Sequence, residues 1–406
     1  MSSQVSLESV RSSTASLPRA GAKLRVTTYA DFEALPCAYP RLFKEHTARS
    51  FYHSLPWFRN FSRNALDVED QIRIYGVELE DATPIAVLPT RYTAQPAKRL
   101  GTKTLFSLAN YYSSLYGPLL DPEVDSQEVL QELARFICAE TPRWDMVNLR
   151  YLDRDSPVFE ALVRAFRSAG MVVQTYFCFG NWYLQVNGRS YREYFDSLRS
   201  SVRNIAASKN KKLERSGQVR VEIITGGSDL ESAIHTYEQV YASSWKVQEP
   251  YPCFVPGLIR TCAENGWLRL GLAYVNEQPA AAQLWVVHDG IASIYKIAYD
   301  RKFSDLSVGT YLTTRLLQQV IEVEKVREVD YLSGDDRYKQ DWMSHRRERW
   351  GILALNPRTV MGSLAIIRHV GGRAVRTALR VLLRRPLQAE TSAAQGKTGL
   401  RTSAGR

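Results

Sequence analysis

Cysteine is scarce and scattered. The 406-residue chain has five, at positions 37, 138, 178, 253 and 262, with no CxxC pair and none at zinc-ligand spacing to a histidine. That pattern excludes a disulfide scaffold and reads as reduced structural thiols in a reducing compartment. Histidine is sparse too: there are six, with no HExxH arrangement, so no metal site is expected. No grouping of serine, cysteine and histidine suggests a covalent intermediate. No apolar run approaches the ~20 residues that cross a bilayer. The opening MSSQVSLESVRSSTASLPRAGA is polar and Ser-rich, with no apolar core, so it is not expected to be a secretory signal. Residues 1–22 are expected to be disordered. A cytoplasmic location follows, with the chain peripheral on the inner membrane face.

Acid is what the C-terminus lacks. The chain carries a net charge of +11, but ten Lys or Arg stand against one Glu from Pro357 onward. The body from Lys23 to Asn356 is therefore close to neutral, which argues against a nucleic-acid-coating protein. Within 357–386, Arg373, Arg376, Arg380 and Arg384 fall on one helical stripe, opposite Val375, Leu379 and Leu382. This is the pattern of a basic amphipathic helix, suited over 360–385 to an anionic membrane surface. The segment QAETSAAQGKTGLRTSAGR is low in complexity and reads as disordered. A second basic segment, 191–215, reads as one long helix with Arg199, Arg203, Lys209, Lys211, Lys212 and Arg215 on a solvated face. It lacks the interleaved aromatics of a single-strand binder.

What is present is an alternation of helices and strands that runs through twice. Strand-like LRVTTY, helical SLPWFRNFSRNAL, a hairpin over QIRIYGVELEDATPIAVLPTRY, helical DSQEVLQELARFICAE, and strands DMVNLRYL and MVVQTYFCFGNWYLQV make up the first half. SPVFEALVRAFRSAG, between those strands, has Pro in its first turn and Gly past its end, as a helix should. In the second half, QVRVEIIT, DLESAIHTYEQVYASSW, three strands from Trp267 to Asp300, the helix VGTYLTTRLLQQVIEVEKV and the strand EVDYLS follow in a similar order. Gly76 and Pro84 flank one hairpin turn, and Gly271 and Pro279 flank another at the same separation. The spacing predicts a duplication. The expected units are a disordered 1–22, lobes at 23–180 and 181–356, and the basic helix and tail at 357–406.

Two stretches carry chemistry. In FSDLSVGTYLTTRLL a helix opens near Val308 with Gly309 and Thr310 in its first turn, and its free backbone N–H groups suit an anion. In YLSGDDRYKQDW two aspartates precede an aromatic–lysine pair. On the residues alone, Asp335 or Asp336 caps a helix and Lys339 pairs with Asp335 one turn on.

SSWK (Ser243–Lys246), the run QPAAAQLWVVHDGIASIYKIAYDRKFSDLSVGTYL (Gln278–Leu312) and YLSGDDRYKQDW (Tyr331–Trp342) together resemble a bacterial family. It is the GNAT-type acetyltransferase family linked with CelD-like cellulose and exopolysaccharide proteins, itself related to FemAB-like aminoacyl transferases. The resemblance covers roughly residues 23–355. It implies an α/β (α+β) fold of two tandem GNAT-like lobes, each a mixed, largely antiparallel sheet flanked by helices, with the basic helix appended. It also implies N-acyl transfer from acetyl-CoA or another acyl-CoA to an amine on a sugar, lipid-linked or amino-acid-like acceptor. No metal takes part. The donor's pyrophosphate would lie on Ser307, Val308, Gly309 and Thr310. Only Gly309 survives of the superfamily's usual Q/R-x-x-G-x-G/A loop, since Ser304 and Ser307 fill the other matching places. Lys339 would offset charge on the acyl oxygen, Asp335 would accept the amine proton, and Tyr299 or Tyr338 would protonate the leaving thiolate. Trp245, Lys246, Asp300 and Trp342 would face the substrate. Two other readings stay open: a tRNA-dependent aminoacyl transferase, and a non-catalytic scaffold at a membrane surface.

Overall fold

Local signals set most of the elements. In the computed structural model, which describes residues 23–94, 101–215 and 217–371, the first half runs β1 (Arg25–Tyr29), α1 (Pro40–Thr47), α2 (Leu55–Asn64), β2 (Asp70–Glu78), β3 (Pro84–Thr93), β4 (Thr104–Ser107), β5 (Leu119–Leu120), α3 (Ser126–Ala139), β6 (Met146–Asp153), α4 (Pro157–Ser168) and β7 (Val172–Gln185). Ser54 caps α2, Asp125 caps α3 and Ser156 caps α4, each accepting from a backbone N–H of the first turn. Past the end of α4, Gly170 takes a φ of +88°, which stops the helix at little cost.

The second half runs α5 (Tyr191–Ser197), α6 (Ser200–Arg215), β8 (Val219–Ile224), α7 (Leu230–Ala242), α8 (Phe254–Glu264), β9 (Leu268–Val275), β10 (Gln278–His288), β11 (Ile291–Tyr299), α9 (Val308–Gln318), β12 (Glu328–Ser333), α10 (Arg337–Trp342), β13 (His345–Leu355) and α11 (Val360–Ile366). The single helix expected over 191–215 is two. Leu198 is extended at ψ 155°, and Ser190 with Glu193 forms a capping box that makes α5 a unit of its own. Helix α8 and strands β4, β5 and β13 carried no clear pattern in the sequence. Gly351–Leu355 of β13 is buried throughout, so the alternation that marks a half-buried strand is missing there.

All thirteen strands join one sheet, in the order β1-β2-β3-β4-β6-β13-β7-β12-β11-β10-β9-β8, with β5 on β3. The order shows the duplication. β1, β2, β3, β4 and β6 of the first half correspond to β8, β9, β10, β11 and β12 of the second. Within each set one neighbouring pair is parallel, β4 with β6 and β11 with β12. At the centre the halves exchange strands: β13, from the end of the second half, pairs with β6, and β7, from the end of the first, pairs with β12. The two lobes are therefore welded by backbone hydrogen bonds.

Three buried clusters cover the sheet. α3 and α4 pack over the first half, and α9 over the second. The third cluster mixes both halves: Trp57, Phe58 and Phe61 of α2 meet Phe254, Val255 and Leu258 of α8. The α2–α8 crossing is close, since a Cβ on Gly257 would lie 2.3 Å from Asn60 Oδ1 and 2.9 Å from Asn64 Nδ2. Asn60 Nδ2 donates to the Phe254 carbonyl across the same contact, at 3.3 Å.

The predicted basic helix begins as α11 and continues in wider turns to Gly371, leaving Val360, Leu364 and Ile367 exposed. Arg373, Arg376, Arg380, Arg384 and the tail lie outside the described residues, as does the 1–22 segment. No helix of the described residues is long and apolar enough to cross a membrane.

Gly257→Ala is expected to lower stability by about 2 kcal/mol, the cost of overpacking a tight contact. Urea unfolding measures it, and a loss under ~0.5 kcal/mol would show that the crossing yields freely.

Candidate active site

β11 and β12 pair in parallel over only three residues, Ile291–Ser293 with Glu328–Asp330. Beyond that the strands separate, and the wedge between Ile294–Ile297 and Tyr331–Ser333 opens into a cavity of about 250 Å³. The opening is held by a bulge. Leu332 sits at φ +57°, a strained position for a bulky side chain. Asp330 Oδ1 accepts from the Leu332 N–H at 2.7 Å, and Asn181 Nδ2 donates to the Leu332 carbonyl at 2.8 Å. Arg347 Nη2 clamps Asp330 at 2.6 Å and Glu328 at 2.7 Å.

The first half has the same parallel pair, Thr104–Phe106 with Met146–Asn148, and its own strained residue past it, Tyr151 at φ +70°. That wedge is filled. Ser107 Oγ accepts from the Arg150 N–H at 3.3 Å, and the Tyr116 N–H donates to the Tyr151 carbonyl at 3.0 Å. The helix that follows differs as well. α3 has Asp125 as its cap and Glu128 in its first turn, whereas α9 has no acid in its first turn and no side-chain cap. Only the second-half helix leaves its positive end free for an anion.

Three lysines converge on the open wedge. Lys296 Nζ lies 2.5 Å from Glu249 Oε1, and Glu249 also accepts from the hydroxyls of Tyr112 and Tyr241, both at 2.6 Å. Burial by itself would raise the Glu249 pKa, but Lys296 and these hydrogen bonds outweigh it and hold the carboxyl below its ordinary range. Lys339 is 5% exposed; it donates to the Ser333 carbonyl and lies 3.4 Å from Asp336. Burial lowers its pKa, with Asp336 working against that. Lys246 is the lysine without a carboxylate in ion-pair contact. It lies 5.7 Å from the Trp245 ring and 5.9 Å from the Tyr241 ring. Burial, then the nearby Lys296, brings its pKa down to about 8.

Of the residues singled out in the sequence, Lys339, Lys246 and Tyr338 line this cavity together. Tyr338 meets Tyr331 edge to face and keeps its phenolic proton up to about 12, chiefly through burial. Asp335 does not line it. Its carboxylate is held by Arg346 Nε and Nη2, both at 2.8 Å, and by Trp182 Nε1 at 3.0 Å, which keeps it ionised. The expected pairing of Lys339 with Asp335 is replaced by one with Asp336, because Asp335 is already taken. Tyr299 packs against Trp245 with the rings tilted at 42° and their centres 4.5 Å apart, and also packs on Gly309, where an added Cβ would lie 3.2 Å from its ring. Gly309 thus serves that close packing as well as the helix start. Asp300 accepts from the Lys302 N–H as a turn former. Trp342 accepts at its carbonyl from the Tyr194 hydroxyl at 3.0 Å. Ser307, in the left-handed region at φ +55°, precedes buried Val308 at the start of α9, with Gly309 and Thr310 next. Basic helix α6 lies alongside: Asn210 Nδ2 donates to Thr314 Oγ1 at 2.8 Å, and Lys209 reaches the Asp305 carbonyl at 3.4 Å.

Glu249, Lys296 and Tyr112 were not singled out, and Asp336 was named only as a helix cap; it stands at that position before α10 without a side-chain capping bond. Lys296 had a signal, a lone cation inside the apolar strand IASIYKIAY. Tyr112 had none, because it arrives from the other half of the chain.

Residues 200–340 match the family model described as Acetyltransferase (GNAT) domain. The chain has a GNAT fold. Among solved structures, FemX is similar at a TM-score of 0.52 and 11% identity, over 76% of this chain and 95% of that one. A conserved protein of unknown function from Bacteroides thetaiotaomicron VPI-5482 is similar at 0.52 and 10%, over 81% and 100%. A tandem GNAT protein from the clavulanic acid biosynthesis pathway aligns at 0.49 and 12%, over 83% and 100%. At such identities the likeness is one of fold. No curated protein matches the sequence.

Glu249→Gln leaves Lys296 half-enclosed without its counter-charge and is expected to cost about 3 kcal/mol of stability at pH 7. The Glu249 contribution is present above the ordinary carboxylate pKa and is lost as pH falls through its lowered value, so the two proteins should converge in acid. Thermal melts between pH 3 and pH 7 (about the range that brackets the carboxylates) check both points.

Proposed function

We propose that the protein is an N-acyltransferase that moves an acyl group from acyl-CoA to an amine acceptor. The observation that carries this reading is the wedge: a parallel strand pair that opens into a lysine-lined cleft on the GNAT half whose helix start is free of acid. Coenzyme A, when bound, supplies the acyl thioester and leaves as the thiol. The N-terminal turn of α9, at Ser307–Thr310, offers backbone N–H groups to its phosphates, with the basic face of α6 alongside. Lys339, anchored by Ser333 and Asp336, offsets the negative charge that develops on the acyl oxygen. Lys246, with its pKa near 8, takes the proton from the attacking amine at Nζ. Tyr338 keeps its proton at neutral pH and stands as a donor to the leaving sulfur. Asp336 replaces Asp335 as the carboxylate at the cleft. The likeness of Gln278–Leu312 and Tyr331–Trp342 to CelD-linked acetyltransferases supports an acceptor from envelope or exopolysaccharide synthesis, an amino sugar, lipid-linked amine or amino-acid-like molecule.

Calorimetric titration with acetyl-CoA and longer acyl-CoAs tests the donor; an absence of binding removes the reading. Binding of charged tRNA in its place would point to aminoacyl transfer. With a working acceptor, kcat/KM should rise with pH through about 8 as Lys246 loses its proton. Lys246→Met should flatten that limb, and Lys339→Met should lower kcat roughly a hundredfold or more at every pH. A rate that falls through the same pH would mean that Lys246 acts as a cation.

The exposed Val360, Leu364 and Ile367, followed in sequence by the arginine stripe, support peripheral binding of 360–385 to an anionic membrane. Vesicles rich in phosphatidylglycerol are expected to sediment the full chain and to leave a chain cut after Asn356 in solution; equal recovery of both would end this part of the proposal.

A further inference from the structure

A second cavity, of about 280 Å³, adjoins the lysine cleft and shares Tyr52 and Ser114 with it. Its walls come from the turn after α1, the 114–118 segment and the exchanged strands at the centre of the sheet. The polar groups inside are poorly matched. Arg349 is 4% exposed; its Nε donates to the Ser114 carbonyl at 3.3 Å, and its Nη1 lies 3.2 Å from Asp153 Oδ1 without completing a hydrogen bond. Both ring nitrogens of His53 are buried with no hydrogen-bond partner among the described residues, and the buried Tyr52 hydroxyl faces only the Ser114 hydroxyl and backbone, without a well-formed hydrogen bond. Burial lowers the His53 pKa to about 3, so the ring stays neutral and holds one N–H. Arg49, exposed, stands at the rim.

These groups have a common character. The guanidinium N–H can only donate, and the two hydroxyls and the neutral imidazole can each donate as well as offer an acceptor atom; a buried donor left without an acceptor is costly. The carboxylates nearby do not meet the need. Asp330 is taken by Arg347, Asn181 and the Leu332 N–H, and Asp153, 43% exposed, pairs with Arg349 only at Nη1. A set of buried donors beside a buried arginine is complementary to an anion.

We propose that this cavity seats an anionic group of the acceptor, a carboxylate or a phosphate, so that the acceptor's amine passes Tyr52 and Ser114 into the lysine cleft. The role of the amine rests on the acyl-transfer reading; the anion seat itself does not. The acceptor class narrows to amines that carry a carboxylate or phosphate, and neutral amino sugars become poor substrates.

The test is calorimetry on the full chain without any acyl donor, at constant ionic strength. Inorganic phosphate, acetate and glucosamine 6-phosphate are the probes, and glucosamine is the control. Phosphate with glucosamine 6-phosphate, or acetate, should bind, according to which anion the seat prefers. Glucosamine should bind at least tenfold more weakly than the phosphorylated sugar if phosphate is the partner. Arg349→Gln should abolish binding. Because Arg349 is buried and this variant can fail to fold, the Tyr52→Phe/Ser114→Ala double variant is the second arm. It removes the two facing hydroxyls together, so neither is left beside a lost partner, and its melting temperature should change little while anion affinity falls at least tenfold. The proposal is overturned if no anion binds the wild-type chain more tightly than glucosamine does, or if the double variant binds anions as well as wild type; the cavity is then a water-filled interior. Anion binding without acyl-CoA binding would uphold the seat and remove the acyl-transfer reading, and acyl-CoA binding without anion binding would do the reverse.

Discussion

Arg347 is the residue on which the arrangement turns. From near the start of β13 it reaches Asn181 on β7 and both Glu328 and Asp330 on β12. One guanidinium thus ties three neighbouring strands, two of which the halves have exchanged. A buried ion cluster of this kind adds little net stability over apolar packing, because desolvation offsets much of the attraction. What it supplies is geometry. Asp330, held from one side by Arg347, is free on the other to accept from the Leu332 N–H, and Asn181 completes the hold on Leu332. The bulge that parts β12 from β11 is a consequence of that clamp, and the lysine cleft is a consequence of the bulge.

The electrostatics of the cleft follow from which acids are already engaged. Asp335 and Asp336 are neighbours in sequence, yet Asp335 is pinned outward by Arg346 and Trp182, leaving Asp336 to Lys339. Glu249 is saturated by Lys296 and two tyrosines. Lys246 therefore remains the lysine of the cleft without a carboxylate in ion-pair contact; Lys296 and Lys339 oppose its charge, and Glu249 and Asp336 support it only from a distance. A lysine in such a place has its charged form destabilised both by burial and by like charge. Burial and the like charge of Lys296 together bring its pKa down to about 8.

Periodicity, caps and turn residues were enough to read most strands, the main helices and the repeated order, because each depends on residues close in sequence. Asp125, Ser156 with Pro157, and the Gly76 and Gly271 hairpins are of this kind. The exchange of β7 and β13 was not legible. β13 opens with three arginines that look solvated and continues with a stretch buried on both faces, so neither part shows alternation. Arg347 is drawn inward because its partners lie on distant strands; Asn181 is 166 residues away. The site was legible in the same proportion. Lys339, Lys246 and Tyr338 could be named from a motif, but the choice between Asp335 and Asp336 depended on Arg346, and Tyr112 depended on the other half of the chain.

That last dependence explains why a duplicated fold has a single open wedge. The segment after β4 closes the first-half wedge through Tyr116 and Ser107, and the same segment carries Tyr112 and Ser114 to the wall of the second-half cleft. Tyr112 is fixed there by its ring on Phe254, centres 4.0 Å apart, by the Tyr295 hydroxyl on its carbonyl and by its own bond to Glu249. Filling one wedge and walling the other are thus one structural act. A half with an open cleft of its own would need this segment elsewhere, and the lysine cleft would then lose the wall that Tyr112 and Ser114 supply. The sheet's internal symmetry is kept in its strand order and given up in its loops, and the open cleft lies where it was given up.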